Sequence, residues 1–249
     1  MSPRSLKIAR SDDIAISLNH YPSGTVQPKH DHSNTQVSFL IMGGFAERSE
    51  GRDFTPLARQ FGIMPAGHGH QVQFGEDGAL MLSIDCYVDL ENGGQRRNWT
   101  QFDGSTARML QIVRGGGSES LPLARDILAH LEDQHDENTY SMRNAPNWLK
   151  VGIEQLFEEP DSSVSDLAKL AGVHRVHFSR VFQRHCGLSP TEFRLLRRSA
   201  IAMRRSLDRD VSLAQAAVEA GFADQAHWTR TCRILTGLTP SSFREKFSA

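Results

Sequence analysis

The stretch Ala220-Gly221-Phe222-Ala223-Asp224-Gln225-Ala226-His227-Trp228-Thr229-Arg230 decides how this chain is read. Gly221 follows an alanine-rich helical run. It suits the turn between two helices, because glycine adopts the left-handed backbone that such a turn needs. Asp224 is placed to cap the next helix by accepting a free backbone N–H. Two faces of that helix then separate by period. Trp228, Cys232 and Leu235 recur at i, i+4 and i+7 as an apolar stripe. Ala226, Thr229 and Arg230 share another face, with Gln225 one turn before Thr229. The second face has the chemistry of a major-groove reader: glutamine pairs with adenine, arginine with guanine, and small residues let the helix come close. An amphipathic surface helix with a solvated polar side has the same pattern.

An upstream copy weighs against that plainer reading. The stretch Ala171-Gly172-Val173-His174-Arg175-Val176-His177-Phe178-Ser179-Arg180-Val181-Phe182 repeats the layout. With His177 set on His227, Phe178 falls on Trp228, Arg180 on Arg230 and Phe182 on Cys232. Downstream, Gly187-Leu188-Ser189-Pro190 falls on Gly237-Leu238-Thr239-Pro240, and Phe193-Arg194 on Phe243-Arg244. The second copy carries one extra residue in its turn. A repeat of this kind marks a duplicated structural unit.

The tandem resembles the DNA-binding domain of the AraC/XylS transcription regulators, carried by the 220–230 stretch above and by Thr236-Gly237-Leu238-Thr239-Pro240-Ser241-Ser242-Phe243-Arg244. It covers residues 146 to 247. Cys232 departs from the family's usual Phe and reads as a smaller core residue. The resemblance implies double-stranded DNA as partner. It places base reading at Val176, Ser179 and Arg180 in the first unit and at Gln225, Ala226, Thr229 and Arg230 in the second. Val176 suits a thymine methyl, and Arg180 suits guanine or a phosphate. Pro190 to Leu207 should form the helix joining the units, with Phe193, Leu196, Ala200, Met203 and Leu207 inward. Its arginines, Arg197 and Arg198 among them, are candidates for phosphate contact.

Charge is divided in the same way. From Asp161 to Ala249 there are fourteen Lys and Arg against eight Asp and Glu, a net of +6, whereas the first 160 residues hold fourteen against 21, a net of −7. A basic C-terminal part matches a phosphate-binding surface, and an acidic N-terminal part argues against nucleic acid there. Cys86, Cys186 and Cys232 are odd in number and far apart, which argues against a disulfide framework and for a reducing cytoplasm. Met1 to His20 has no signal-peptide pattern, and no apolar run approaches bilayer length.

The N-terminal part reads as β-structure. Ile14 to Leu18 is a first strand. Val37 to Met42 is a strand expected to end at Gly43-Gly44. Gln71 to Phe74 and Ala79 to Ile84 are strands expected to flank a turn at Gly75 to Gly78. Gly24, His30, His32, Gln36 and Gly43 keep the spacing of a first cupin motif, and Pro65-Ala66-Gly67-His68-Gly69-His70 keeps much of a second. The segment therefore resembles the cupin-type jelly-roll barrel that serves as sensor in AraC/XylS regulators. By that resemblance His30, His32, Gln36 and His70 stand where metal cupins hold one divalent ion. His30 and His32 alternate on a strand and would both face inward. Gln36 replaces a Glu, and Phe74 replaces a polar residue. The same side chains otherwise line an effector pocket without an ion.

Helices are expected within Gln101 to Val113 and over Leu121 to Asp133, serving either to pair across a homodimer or to cover the barrel. A polar linker follows from His135 to Met142. The next helix starts at Pro146 and buries Trp148, Val151, Gly152, Leu156 and Phe157. The expected fold is α+β in two domains: a cupin-like barrel over residues 1–100, interdomain helices and linker over 101–142, and an all-α tandem helix-turn-helix over 143–249. The expected function is a cytoplasmic, non-enzymatic, sequence-specific transcription regulator with a small-molecule effector in the barrel and no catalytic residues. A metal-dependent cupin enzyme fused to a DNA-binding domain is the alternative. A barrel serving only for dimerisation, with an interior filled by apolar side chains, is a third.

Overall fold

The computed structural model describes residues 2–88, 90, 99–101, 106–133 and 145–248. Period-two alternation sets its first half. In β2 (Ile14–Tyr21) the side chains of Ile14, Ile16, Leu18 and His20 are buried and those between them half-buried. The other strands are β1 (Arg4–Arg10), β3 (Val26–His30), β4 (Thr35–Ser49), β5 (Arg52–Phe54), β6 (Gln60–Met64), β7 (His70–Cys86) and β8 (Thr100–Gln101). They form one antiparallel sheet in the order β1-β2-β7-β4-β6-β8, with β3 on β7 and β5 on β4. Among the described residues this hydrogen-bonded path stays open and does not close into a barrel.

Two sequence expectations are corrected here. β4 does not end at Gly43-Gly44, and Gly75 to Gly78 is not a turn between strands. Both β4 and β7 run straight through their glycines and pair with each other from Thr35↔Cys86 to Ser49↔His70. The glycines bend the strands instead. The register slips between Leu40 and Met42 and between Gly43 and Phe45, as at a β-bulge. Gly43 (φ 84°) and Gly78 (φ 67°) are left-handed, and a Cβ on Gly43 would lie 2.1 Å from the Gly78 carbonyl oxygen. Only glycine permits that approach.

Helices α1 (Thr106–Gly115) and α2 (Ser120–Asp133) follow. Ala124, Ile127, Leu128 and Leu131 of α2 are buried, and α2 packs on α1, β1 and β2. Its apolar face therefore covers the sheet of its own chain. The expected linker, 135–142, lies outside the described residues.

The C-terminal part is all helical: α3 (Asn147–Glu158), α4 (Val164–Leu170), α5 (Arg175–Cys186), α6 (Pro190–Ser206), α7 (Leu213–Glu219), α8 (Gln225–Thr236) and α9 (Pro240–Phe247). α3 starts after Pro146, but its buried face is Leu149, Gly152, Ile153 and Leu156. Val151 and Phe157 are exposed and Trp148 half-buried, contrary to the sequence pattern. The cause is the ring of Phe178, which packs so closely that a Cβ on Gly152 would come within 2.9 Å of it. Phe157 instead lies 4.6 Å beneath the Arg197 guanidinium.

The two halves share one continuous apolar cluster. Asp77 of β7 is buried and ion-paired with Arg197 and, at 3.7 Å, with Arg204, both on α6. Arg59 meets Glu192 at 3.2 Å. Arg4 donates to the Ser248 carbonyl. His20 of β2 packs edge-on against Phe243 at 5.3 Å and against Phe247 at 5.6 Å. These contacts consume much of the basic side of α6. Arg197 is held by Asp77 and the Phe157 carbonyl, Arg198 by Asp161, Arg194 by the Pro160 carbonyl and Arg205 by Glu219. Arg197 and Arg198, expected at phosphate, are thus engaged within the chain in this arrangement.

Two predictions follow from this interface. Asp77→Ala leaves Arg197 buried without its partner and should destabilise the chain by about 3–5 kcal/mol, read from the urea midpoint. The apolar double variant Asp77→Leu/Arg197→Met should recover most of that loss. Separately, burial and the nearby Arg4 charge push the pKa of His20 down to about 4. The unfolded chain then binds this proton more readily, so stability is complete above the ordinary histidine pKa and falls as pH drops below it. Between pH 7.5 and 5 the His20 contribution should fall by about 2 kcal/mol. Thermal melts of the wild type should decline over that range more steeply than those of His20→Leu, and parallel declines would refute the assignment.

Candidate nucleic-acid interface and pocket of the N-terminal sheet

The duplication read in the sequence is present in three dimensions. α4 and α7 each have seven residues, and α5 and α8 each have twelve. Ser163 and Ser212 cap the first helix of each pair, accepting from Asp166 N at 3.1 Å and Gln215 N at 3.0 Å. Gly172 (φ 66°) and Gly221 (φ 81°) make the left-handed turns. Asp224 caps α8 by accepting from His227 N at 2.6 Å. At the matching position His174 caps α5, its Nδ1 accepting from Val176 N at 3.3 Å. Gly187 and Gly237 end the two helices in left-handed geometry. At Ser163 the short Asp166 carboxylate accepts from the Ser163 hydroxyl at 2.6 Å. Glu192 is one methylene longer and completes a full box with Ser189.

Each second helix buries its apolar stripe. Phe178, Phe182 and Cys186 are buried in α5, as are Trp228, Cys232 and Leu235 in α8. Burial pushes the Cys186 thiol up to about 12 and the Cys232 thiol up to about 11, so both are inert core residues. Val176 and Arg180 are exposed on the opposite face of α5, with Ser179 half-buried beside them. On α8, Gln225, Ala226 and Arg230 are exposed and Thr229 is half-buried. Arg180 and Arg230 make no ion pair with any described residue, unlike Arg197, Arg198 and Arg205 of α6. α6 packs against α5, α7, α8 and α9, so one helix fixes the placement of both units.

In the N-terminal half a pocket of about 80 Å³ opens among Tyr21, Phe45, Met81 and Trp99 on the apolar side and His30, His32, His70 and Glu47 on the polar side. Such an interior is not the filled apolar core of a pure dimerisation module. His30 ends β3, while His32 lies just past it in irregular chain, so the two do not alternate on one strand as expected. Their rings nevertheless converge. His70 Nε2 lies 3.0 Å from His30 Nε2 and 3.2 Å from His32 Nε2. Burial, then the neighbouring His70 and His30, lowers the pKa of His32. Gln36 lines the same pocket, but its Nε2 donates to Asp85 at 2.8 Å and its Oε1 accepts from Ser38. Phe74 stacks on Tyr21 at 4.1 Å.

Glu47 and Trp99 escaped the sequence reading. Glu47 is 4% exposed, accepts from His70 Nδ1 at 2.7 Å and accepts from the indole N–H of Trp99 through its other oxygen. Its signal was the alternation Phe45, Glu47, Ser49, legible only once β4 is known to continue past Gly44. These partners fix tautomers. With Nδ1–H given to Glu47, a neutral His70 carries its lone pair on Nε2. His30 likewise gives Nδ1–H to the Pro28 carbonyl at 2.8 Å. With both rings neutral, two Nε2 lone pairs face each other at 3.0 Å, an arrangement that either a shared proton or a metal cation relieves. The donors of a tetrahedral ion with bonds of about 2.0–2.1 Å stand about 3.3 Å apart, close to the spacing here. The carboxylate and carbonyl behind the rings are the usual outer partners of ligating histidines. The donor set thus fits a divalent cation.

Residues 167–246 match the family described as a helix-turn-helix domain. Over 149 residues the chain is 30% identical to an uncharacterised HTH-type transcriptional regulator of Haemophilus influenzae, covering 58% of this chain and 44% of that protein. It is 29% identical over 124 residues to the HTH-type transcriptional regulator ExsA of Pseudomonas aeruginosa, covering 50% and 41%. It therefore spans less than half the length of either relative. Among solved structures, a cupin superfamily protein from Desulfitobacterium hafniense is 18% identical with TM-score 0.33, over 35% of this chain and 79% of that one. The DMSP lyase DddQ from Ruegeria pomeroyi is 21% identical with TM-score 0.33, over 36% and 49%. No helix among the described residues is long and apolar enough to cross a membrane. With its paired helices, turn glycines and matching caps, the segment 167–246 has the build of that helix-turn-helix domain.

Proposed function

We propose that the chain is a sequence-specific, DNA-binding transcription regulator of the cytoplasm, with no enzymatic turnover, controlled by a small molecule bound in its cupin-like N-terminal half. One observation carries the DNA reading. Two equivalent helix-turn-helix units present Val176, Ser179 and Arg180, and Gln225, Ala226, Thr229 and Arg230, on uncovered helix faces, while α6 sets their separation. Entry of both helices on one side of the duplex places their grooves about one turn apart, ~34 Å or ~10 base pairs. The two faces differ in sequence, so one protomer should read an asymmetric site.

The tautomers in the pocket favour a further reading. His30, His32 and His70 would hold a divalent cation of the kind suited to imidazole. Bound there, it would supply an electrophilic point to which an effector's donor atom could attach. Glu47 holds His70 in the ligating tautomer. The rings of Tyr21, Phe45 and Trp99 give an effector an apolar seat and exclude water. Gln36, engaged with Asp85 and Ser38, would orient the effector instead of ligating the ion.

Selection of the full chain against a random duplex library at physiological salt should enrich an asymmetric motif with two half-sites about one turn apart. Failure to enrich any motif, by the full chain and by residues 143–249 alike, would overturn the reading. On the enriched site Arg230→Ala should cost about 1–3 kcal/mol and relax preference at one base pair. Equal loss on every sequence would instead make Arg230 a phosphate contact. Arg198→Ala should leave the salt dependence of binding unchanged, since its guanidinium is tied to Asp161.

A further inference from the structure

The two helix-turn-helix units share one build but not one charge. From Ser163 to Gly187 there are four Lys and Arg against one Asp, a net of +3. Over the matching stretch from Ser212 to Gly237 there are two Arg against one Asp and one Glu, a net of 0. The difference sits on the second helix of each pair. With His177 set on His227, Arg175 falls on Gln225 and Arg184 on Ile234, while the reverse exchange, Gln183 on Arg233, occurs once. Arg175 lies one turn before Ser179 and Arg184 one turn after Arg180, so each extends the first reading face at an opposite end. Both are exposed, and neither has a hydrogen bond or ion pair with any described residue. In α8 the same two places carry an amide and the 66% exposed Ile234. The caps differ in the same sense. α8 starts at the carboxylate of Asp224, whereas α5 starts at the imidazole of His174, which brings no negative charge. A phosphate near the start of α8 meets an anion; near the start of α5 it meets Arg175.

We propose that the first unit is the electrostatic anchor of the pair: Arg175 and Arg184 hold the DNA backbone at the two ends of α5, and the second unit, with no net charge, supplies most of the sequence preference. The inference rests on the DNA reading above. A duplex backbone rewards positive charge on any sequence, because each neutralised phosphate releases counterions. Such contacts fix position without naming a base. α5 therefore gains affinity from its two end cations wherever it docks. α8, with Gln225, Ala226 and Ile234 around Arg230, gains little until its amide and apolar groups meet matching base edges. The division also supplies phosphate contacts that α6 does not offer, since its Arg197 and Arg198 are engaged within the chain.

The test measures affinity of the full chain between about 50 and 200 mM salt, on the selected duplex and on a duplex of unrelated sequence. Arg175→Gln and Arg184→Gln should each reduce the slope of log affinity against log salt by about 1, and the double variant by about 2, on both duplexes. Both side chains are on the surface, so the variants should melt as the wild type does. Library selection with the double variant should return the wild-type motif. The reverse change, Gln225→Arg/Ile234→Arg, should steepen the slope by up to about 2 and blur the motif. The base pair relaxed by Arg230→Ala marks the half-site under α8, and that half-site should be the more sharply defined of the two. An unchanged slope in the double variant, a changed motif, or a sharper half-site under α5 would overturn the anchor while leaving DNA binding intact. The slope on the unrelated duplex needs no selected motif, so a chain that enriches none still tests Arg175 and Arg184. A wild type with no salt-sensitive DNA binding would overturn the DNA reading and the anchor together.

Discussion

Burying the carboxylate of Asp77 costs hydration that only a close cationic partner restores. The partners are Arg197 and Arg204, both on α6. That helix is shared by the two helix-turn-helix units, so the ion pair anchors the scaffold of the whole C-terminal half to one strand. The strand is β7, and Asp77 lies on it between Phe74 and Met81, which line the pocket. Tyr21 stacks on Phe74, and its carbonyl sits so near Gly78 that a Cβ there would meet it at 2.2 Å. Pocket wall and interdomain contact are therefore adjacent parts of one bent strand, and the bend exists because positions 43 and 78 are glycine.

The C-terminal half was largely legible because its information is local. Caps, turn glycines and a 3.6-residue period lie within a few residues of one another, and the repeat states them twice. Its misreadings were tertiary. The face of α3 is set by Phe178, a residue of another helix, and the arginines of α6 look like phosphate ligands until Asp77, Asp161 and Glu219 are placed beside them. The first half was less legible because its decisive features are long-range. Glycine in a strand pattern reads as an end, yet Gly43 and Gly78 mark a fold in two long strands. Ending β4 early hid Glu47. Trp99 carried no motif at all, since its role depends on Gly62 and Glu47 on other strands. The histidines were found by spacing, but their Nε2 orientation follows from Pro28 and Glu47, which spacing does not reveal.

Docking leaves the reading faces uncovered, and this constrains how control can work. The N-terminal half meets α6 along its length, α9 through His20 and α8 at its C-terminal end. Val176, Arg180, Gln225, Ala226 and Arg230 remain exposed in this arrangement. An effector that controlled DNA binding would therefore not act by uncovering a blocked surface. It would act on the separation and tilt of α5 and α8. Two recognition helices on a single scaffold would both have to match grooves about one turn apart, so a small change in the tilt of either helix bears on both. Each tenfold change in DNA affinity requires about 1.4 kcal/mol of difference between states. A single buried hydrogen bond to a charged group is worth about that much or more.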